Sequence, residues 1–261
     1  MDRGVLREAA RLSGLHQPYV LALIVKTEGS TPRKNGGSML LRPDGSFSGT
    51  VGGARLEEEV KGCMQTALKD RKGGLHHFEL RGWKPGGLPS RCGGSVEVAV
   101  EFVEEGPNVL IWGAGHTGLA LARALALLSY DHSIADDRAE FLTRERFPQA
   151  RNLWKLSPAQ LSEKVVGGEE RFSHVYLLGY DAKKDEDLLG ALLPDYPGHI
   201  GLIASKVKRQ VTFRALEKRG LSRERLRRVR SPVGLPIGAE SPEEIAVSIA
   251  AEIVRDLNED S

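Results

Sequence analysis

The sequence predicts an α/β protein with two domains, an α+β domain followed by a doubly wound parallel sheet. Three observations support this prediction. The 261 residues are enough for about two domains. The motif GAGHTG at residues 113–118 lies between a short apolar stretch, 109–112, and an apolar pattern at helical spacing, which is the context of a Rossmann-like nucleotide-binding domain. Strand and helix patterns alternate after the motif, whereas strands dominate before it.

The first part of the chain has the patterns of a small α+β domain. Helices are predicted over residues 1–15 and 56–70, because apolar residues recur there at helical spacing. Strands are predicted at 19–25, 38–42, 46–51, 77–80 and 95–102. The turn Pro43-Asp44-Gly45 joins two of these strands into a hairpin, and a Gly- and Pro-rich loop at 82–94 precedes the last strand.

A breaker segment at 104–108 divides the chain into predicted domains 1–105 and 106–261. In the second domain, strands are predicted at 109–112, 132–135, 174–178 and 199–204, with weaker candidates at 151–154 and 229–231. Helices are predicted at 116–129, 138–146, 158–164, 185–193, 206–219 and 241–258. This alternation is typical of a Rossmann-like doubly wound sheet.

Composition limits the compartment and the partners. No apolar run approaches the roughly 20 residues of a membrane-spanning helix, and the first residues lack a signal-peptide pattern. The two cysteines are too few for a disulfide framework, so we expect a cytoplasmic protein without membrane contact. Residues 206–230 hold 11 Lys and Arg against two Glu, which indicates either a solvated helical face or a basic rim that attracts an anionic partner. Without interleaved aromatic residues, this segment does not predict nucleic-acid binding.

The glycine motif has a separate expected role for each glycine. Gly113 permits a tight turn, Gly115 lets an anion approach the backbone, and Gly118 lets the helix pack against the strand. The N–H groups at the start of that helix favour a phosphate, which His116 either contacts or leaves to face solvent. Asp136 follows 18 residues after Gly118, where a carboxylate can accept a hydrogen bond from a ribose hydroxyl. A dinucleotide and another phosphate-bearing ligand are both consistent with this pattern.

Three turns in the first domain have an unusual content: residues 27–34 (TEGSTPRK), 49–57 (GTVGGARLE) and 90–94 (SRCGG). Each alone is consistent with a plain tight turn, but together they favour a shared anion site with free backbone N–H groups. The candidate binding residues are Ser30, Arg33, Gly52, Gly53, Arg55 and Cys92. As a thiolate, Cys92 would suit sulfur transfer or a soft metal. Neither a zinc-like Cys/His spacing nor a Ser/His/Asp arrangement is present, so we predict no metal site and no catalytic residue.

These residues resemble the XdhC/CoxI family, which comprises accessory factors for xanthine dehydrogenase and related molybdenum hydroxylases. The resemblance covers nearly the whole chain and rests on residues 29–33 (GSTPR), 49–53 (GTVGG), 92–94 (CGG), 113–116 (GAGH), 136–138 (DDR), 201–206 (GLIASK) and 232–246 (PVGLPIGAESPEEIA). It implies an N-terminal XdhC/CoxI domain at 1–105 and a Rossmann-like XdhC C-terminal domain at 106–261. Where the family commonly has a cysteine after the glycine run, this chain has Arg55.

The resemblance implies a chaperone without turnover of its own. Such a protein binds the molybdenum cofactor (molybdopterin), protects it during sulfuration and delivers it to an apo-hydroxylase. The implied partners are a xanthine dehydrogenase-like molybdenum hydroxylase and a cysteine desulfurase, and family members are expected to be homodimers. We expect the cargo to lie between the domains, with the glycine motif and Asp136 on one side and the turns of the first domain on the other.

Two other functions are consistent with the sequence. An NAD(P)-dependent oxidoreductase would bind NAD(P) in the Rossmann-like domain and use His116 or Tyr180 as a proton donor. A nucleotide-sensing interaction protein would instead use residues 206–230 as its partner surface.

Overall fold

The computed structural model describes residues 2–31, 36–80 and 94–259. The chain divides into two compact units, Met1–Glu105 and Gly106–Ser261, which we call the N-terminal unit and the C-terminal unit. No helix among the described residues is long and apolar enough to cross a membrane.

The N-terminal unit is an antiparallel sheet with a helix on each face. Its strands are β1 (Tyr19–Glu28), β2 (Ser38–Leu41), β3 (Phe47–Thr50), β4 (Gly74–Glu79) and β5 (Ser95–Val103), in the order β3-β2-β1-β5-β4. Helix α1 (Arg3–Gly14) packs Val5 and Leu12 with Leu40 on one face. Helix α2 (Ala54–Asp70) packs Val60 and Met64 against β1, β2 and β5 on the other.

The C-terminal unit is a six-stranded sheet whose described pairings are all parallel. Its strands are β6 (Asn108–Trp112), β7 (Asp131–Asp136), β8 (Leu153–Lys155), β9 (His174–Leu177), β10 (His199–Leu202) and β11 (Val229–Arg230). The order β11-β10-β9-β6-β7-β8 is that of the Rossmann fold, in which the strand order reverses beside the first strand. This sheet confirms the predicted fold class.

Helices cover both faces of the parallel sheet. They are α3 (His116–Leu127), α4 (Pro158–Gly167), α5 (Ala182–Leu192), α6 (Lys206–Lys218), α7 (Arg223–Arg227) and α8 (Pro242–Glu259). Helices α3 and α8 share one apolar cluster with β6, whereas α4 to α7 contribute to the other. Because both faces are covered, the ends of the strands are where a ligand can reach the sheet.

The predicted helix over 138–146 is wrong, because only a single turn of 3₁₀ helix forms there, Ala139–Phe141. The Arg138 backbone has extended angles and its N–H donates to the Asp136 side chain, which starts a turn in place of a helix. Further along, the Arg146 side chain donates to the Ala114 carbonyl oxygen at 2.7 Å. Tertiary hydrogen bonds thus override the helical pattern of this segment. The short helix α7 and the early start of β4 were not predicted either.

Candidate functional site

The glycine motif forms a tight loop where the strand order reverses. Gly113 follows β6 with φ at +114°, and a Cβ atom there would lie 2.5 Å from the Leu178 carbonyl oxygen, just after β9. A Cβ at Gly118 would lie 1.9 Å from the Gly113 carbonyl oxygen. Both positions therefore require glycine. The loop lies at the carboxyl ends of β6 and β9, the place where open α/β sheets bind ligands.

The N-terminus of α3 is open to an anion. Gly115 is the N-cap residue, and a Cβ there would meet nothing within 4 Å. Among the described helices, α2 and α3 have no side-chain cap, whereas side-chain oxygens cap α1, α4, α5, α6, α7 and α8. The first residue of α3, His116, is exposed. The N–H groups and the helix dipole at this end are thus available to a phosphate, as the motif predicted.

Asp136, the predicted ribose ligand, is buried and bonded to the protein itself. Its Oδ1 atom accepts from the Arg138 backbone N–H and from Arg138 Nε, both at 2.9 Å. Its Oδ2 atom accepts from the Ala114 N–H at 2.7 Å and from Arg138 Nη2 at 2.9 Å. Burial alone would raise the pKa of Asp136, but the hydrogen bonds from Arg138 and Ala114 hold it below its usual value. The carboxylate thus stays ionised and fixes the glycine loop to the end of β7.

Two aromatic rings hold the guanidinium of Arg138 in place. Its central carbon lies 4.2 Å from the centre of the Phe141 ring and 4.0 Å from that of Tyr180. The exposed Tyr180 hydroxyl is 2.8 Å from Lys184 Nζ, which also pairs with Asp137. Tyr180, Lys184 and Asp137 line a narrow cleft beside Gly113 and Gly179.

A buried ion pair lies against the residues that line the cleft, and no pattern in the sequence predicted it. Asp185 is fully buried and accepts from Trp112 Nε1 at 3.2 Å and from Lys208 Nζ at 3.1 Å. Burial raises the pKa of Asp185, against the opposing effect of Lys208. A Cβ at Gly179 would lie 2.2 Å from Asp185 Oδ1, so glycine is required there. The signal in the sequence was Trp112 itself, because a buried indole N–H needs an acceptor.

In the N-terminal unit, the turn from β3 into α2 contains two predicted site residues in left-handed conformation. Gly52 and Gly53 have φ angles of +84° and +76°. The Gly52 N–H donates to Thr50 Oγ1 at 3.0 Å, and the Thr50 hydroxyl donates to Glu57 in the first turn of α2. Arg55 is exposed in that turn and forms no ion pair with any described residue. Its guanidinium is therefore available to an anion.

The other predicted residues of the first domain are separated or not described. Ser30 is exposed after β1, and its carbonyl oxygen would lie 2.6 Å from a Cβ at Gly94, the residue before β5. Among the described residues, no hydrogen bond joins Ser30 to the turn at Gly52 and Gly53. Arg33 and Cys92 lie outside the described residues. The shared anion site of the first domain remains a prediction.

A second polar cluster lies at the opposite end of the parallel sheet. His174 starts β9 and stacks on His199, which starts β10, with ring centres 4.6 Å apart. His174 Nε2 is 3.3 Å from Asp256 Oδ2 of α8, and Arg230 pairs with the same oxygen. Three potential ligand atoms lie close together here, but the Arg230 cation already neutralises Asp256. The geometry favours an internal ion pair over a metal site.

The basic segment 206–230 is partly neutralised within the unit. Arg219 pairs with Glu186 and Asp187, Arg223 pairs with Glu217, and Lys208 with Asp185. The Arg228 guanidinium donates to the Tyr196 carbonyl oxygen. Ion pairs within the unit thus involve Lys208, Arg219 and Arg223, and a basic rim formed by the other cations of the segment stays a prediction.

Comparisons with known proteins give matches over both units. A family model described as the XdhC Rossmann domain matches residues 109–253, and a model described as the XdhC and CoxI family matches residues 14–79. The protein YqeB of Escherichia coli K12 is 35% identical over 251 residues, which cover 96% of this chain and 46% of YqeB. A Bacillus subtilis protein, named as a probable component of xanthine dehydrogenase, is 30% identical over 62% of this chain and 46% of its own length. The chain spans about half the length of these two relatives.

Two further matches extend over most of both chains. The molybdenum cofactor insertion chaperone PaoD of Escherichia coli K12 is 22% identical, over 96% of this chain and 87% of PaoD. A crystal structure of a xanthine dehydrogenase from Bacillus halodurans superposes with a TM-score of 0.52 and 21% identity, covering 98% of this chain and 96% of that one. This likeness shows that the fold is shared.

Proposed function

The chain belongs to the XdhC and CoxI family, and on this basis we propose that it is a maturation factor for a molybdenum hydroxylase. In this proposal it binds the molybdenum cofactor and delivers it to a xanthine dehydrogenase-type apo-enzyme. The name of the PaoD relative, a molybdenum cofactor insertion chaperone, supports the same role. We infer a chaperone rather than an enzyme that acts on the cofactor.

The open N-terminus of α3 is the observation that carries this proposal. Molybdopterin ends in a phosphate group, and the N–H groups beyond Gly115 offer donors and a positive dipole end to such a group. The required glycines at positions 113 and 118 keep this end of the helix clear and close to the sheet. Phosphate binding here would account for this construction of the loop.

We also propose an anion-binding element within the N-terminal unit, at the turn from β3 into α2. Arg55 is the exposed cation at the start of α2, and we propose that it replaces, with electrostatic attraction, the cysteine that family members commonly have there. Ser30, Gly52 and Gly53 are proposed to assist through hydroxyl and backbone groups, with Arg33 and Cys92 as predicted further members. A homodimer, a cysteine desulfurase partner and a cytoplasmic location also remain predictions.

Cofactor that co-purifies with the protein tests the proposal. The protein would be purified from a host that makes molybdenum cofactor, and the released small molecules would be identified by mass spectrometry. We expect a molybdopterin species at a substantial fraction of the protein concentration. Arg55→Ala should retain about tenfold less of it, because the variant loses one charge-assisted hydrogen bond to the cofactor. Arg7→Ala, which removes an exposed arginine from α1, is the matched control and should retain the cofactor. Absence of any pterin from the wild-type protein would contradict the proposal.

The alternative of an NAD(P)-dependent oxidoreductase has no support from the geometry of the cleft. The exposed Tyr180 is engaged with Arg138 and Lys184, and Asp136 accepts its hydrogen bonds from the protein.

A further inference from the structure

The Rossmann fold implies a nicotinamide dinucleotide, and the residues present do not fit one. In dinucleotide sites, a carboxylate at the end of the second strand binds the ribose hydroxyls. A carboxylate can accept about four hydrogen bonds, and Asp136 accepts four from Arg138 and Ala114. A ribose would therefore find no free acceptor on Asp136.

We infer that Arg138 is the residue that determines ligand specificity here, since it closes the site to nucleotides and leaves it open to phosphate groups without an attached ribose. This inference rests on the proposed function, because it concerns which phosphate-bearing cargo the α3 N-terminus can bind. It assigns to Arg138 the position that a ribose occupies in dinucleotide-binding relatives of the fold.

The surroundings of Arg138 keep it on Asp136. Phe141 and Tyr180 lie against the guanidinium. The adenine ring of a bound nucleotide could therefore stack on Arg138 only by displacing one of these two side chains. Lys184 holds the Tyr180 hydroxyl at 2.8 Å and also pairs with Asp137. A ribose would have to break at least two charge-assisted hydrogen bonds and one ring contact to reach Asp136.

The neighbouring acid does not provide a substitute. Asp137 Oδ2 pairs with Lys184, and Asp137 Oδ1 is buried with no hydrogen-bond partner among the described residues. Asp137 lines the cleft, but Lys184 pairs with one of its oxygens and the protein covers the other. The charge of Arg138 also neutralises Asp136, so this carboxylate does not repel an anion at the nearby start of α3.

Calorimetric titration with two probes tests the inference, with ADP-ribose as the nucleotide probe and inorganic pyrophosphate as the probe without a ribose. The wild-type protein should bind pyrophosphate at least tenfold more tightly than ADP-ribose. Arg138→Ala should bind ADP-ribose roughly ten- to a hundredfold more tightly than wild type, because the freed carboxylate can accept from the ribose. Asp136→Asn/Arg138→Ala should lose that gain.

Arg146→Ala is the matched control. Arg146 also contacts Phe141 and donates to the Ala114 carbonyl oxygen, but it makes no hydrogen bond to Asp136. Its removal should leave the ratio of the two affinities unchanged. If Arg138→Ala does not fold, as thermal unfolding would show, Arg138→Gln keeps a polar side chain and should show a smaller gain of the same sign.

Three results would overturn the inference. They are wild-type binding of ADP-ribose as tight as that of pyrophosphate, no gain in either Arg138 variant, and tight binding of NADP⁺ that is lost in Arg138→Ala. The third would make Arg138 a ligand of the 2′-phosphate. Equally tight binding of pyrophosphate and ADP-ribose would refute the inference about Arg138 but leave the proposed function standing. A wild-type protein that binds neither probe would count against the phosphate site, and the gain in Arg138→Ala would still decide the role of Arg138.

Discussion

Placing a carboxylate at position 115 is the sharpest test of the phosphate site. A side chain fits there, because a Cβ meets nothing within 4 Å and the backbone angles of −70° and −162° suit any residue. Gly115→Asp should fold normally, since aspartate is a favoured N-cap residue and stabilises a helix by a few tenths of a kcal/mol relative to glycine. The variant would nevertheless place a negative charge where we expect the phosphate.

The expected loss of affinity follows from Coulomb repulsion. A carboxylate about 5 Å from a phosphate, at an effective dielectric constant of about 20, costs about 3 kcal/mol for each unit of phosphate charge. This energy corresponds to about a hundredfold weaker binding. Gly115→Asn is the matched control, because it occupies the same N–H groups without the charge, and we expect it to weaken binding by about tenfold.

Titration calorimetry with inorganic pyrophosphate would measure both variants, and thermal unfolding would confirm that they are folded. The difference between Asp and Asn should shrink as salt is added, since screening weakens the repulsion. If folded Gly115→Asp binds pyrophosphate as tightly as the wild-type protein does, phosphate does not bind at this end of α3 and the proposed site is wrong.

Three further outcomes are expected. In denaturant titrations, Gly118→Ala should lower the free energy of unfolding of the C-terminal unit by about 3 kcal/mol, because the new methyl group overlaps the Gly113 carbonyl oxygen. Gly115→Ala should change the same free energy by less than about 1 kcal/mol, because a Cβ there meets no atom within 4 Å. Asp185→Leu should lower the free energy of unfolding by about 2 kcal/mol in the same titrations, because it leaves Lys208 and the Trp112 N–H without their acceptor. An unchanged midpoint of denaturation would show that the buried pair is not stabilising. Burial and the neighbouring His199 lower the pKa of His174 to about 4. The unfolded chain therefore binds the proton more readily than the folded protein does. The free energy of unfolding should fall by about 3 kcal/mol as the pH drops from about 6.5 to about 4. His174→Gln should flatten that part of the pH profile, and an equally steep profile in the variant would assign the effect to other groups.

The fold class could be predicted because its signals are local. The spacing of the three glycines depends only on a strand that ends at Trp112 and a helix that begins at His116, and both are visible as apolar patterns. The failure over 138–146 has the opposite origin. There the apolar spacing suits a helix, but hydrogen bonds to Asp136 and Ala114 hold the chain in a turn. Helical propensity is a weak preference that such contacts override.

The candidate site could be predicted only in part, for the same reason. The glycines at positions 113 and 118 form the tight turn and the close packing that their spacing indicated, whereas the approach of an anion to Gly115 stays a prediction. The ion pair between Asp185 of α5 and Lys208 of α6 joins residues that are 23 apart in sequence, and no short-range pattern indicates such a contact. The proposed role of Arg55 depends on its exposure, which the sequence does not specify.

Asp136 shows why the acid of a dinucleotide motif cannot be interpreted alone. The Arg138 N–H and guanidinium reach its carboxylate from only two residues away, so little chain entropy is lost when these bonds form. A free ribose must lose translational and rotational freedom to make the equivalent bonds, and the tethered arginine therefore has the advantage. It follows that the residue two positions after the acid decides whether the acid is available to a ligand. In this chain that residue is an arginine held by two aromatic rings, and this is why we infer that the acid fixes the loop and does not bind a nucleotide.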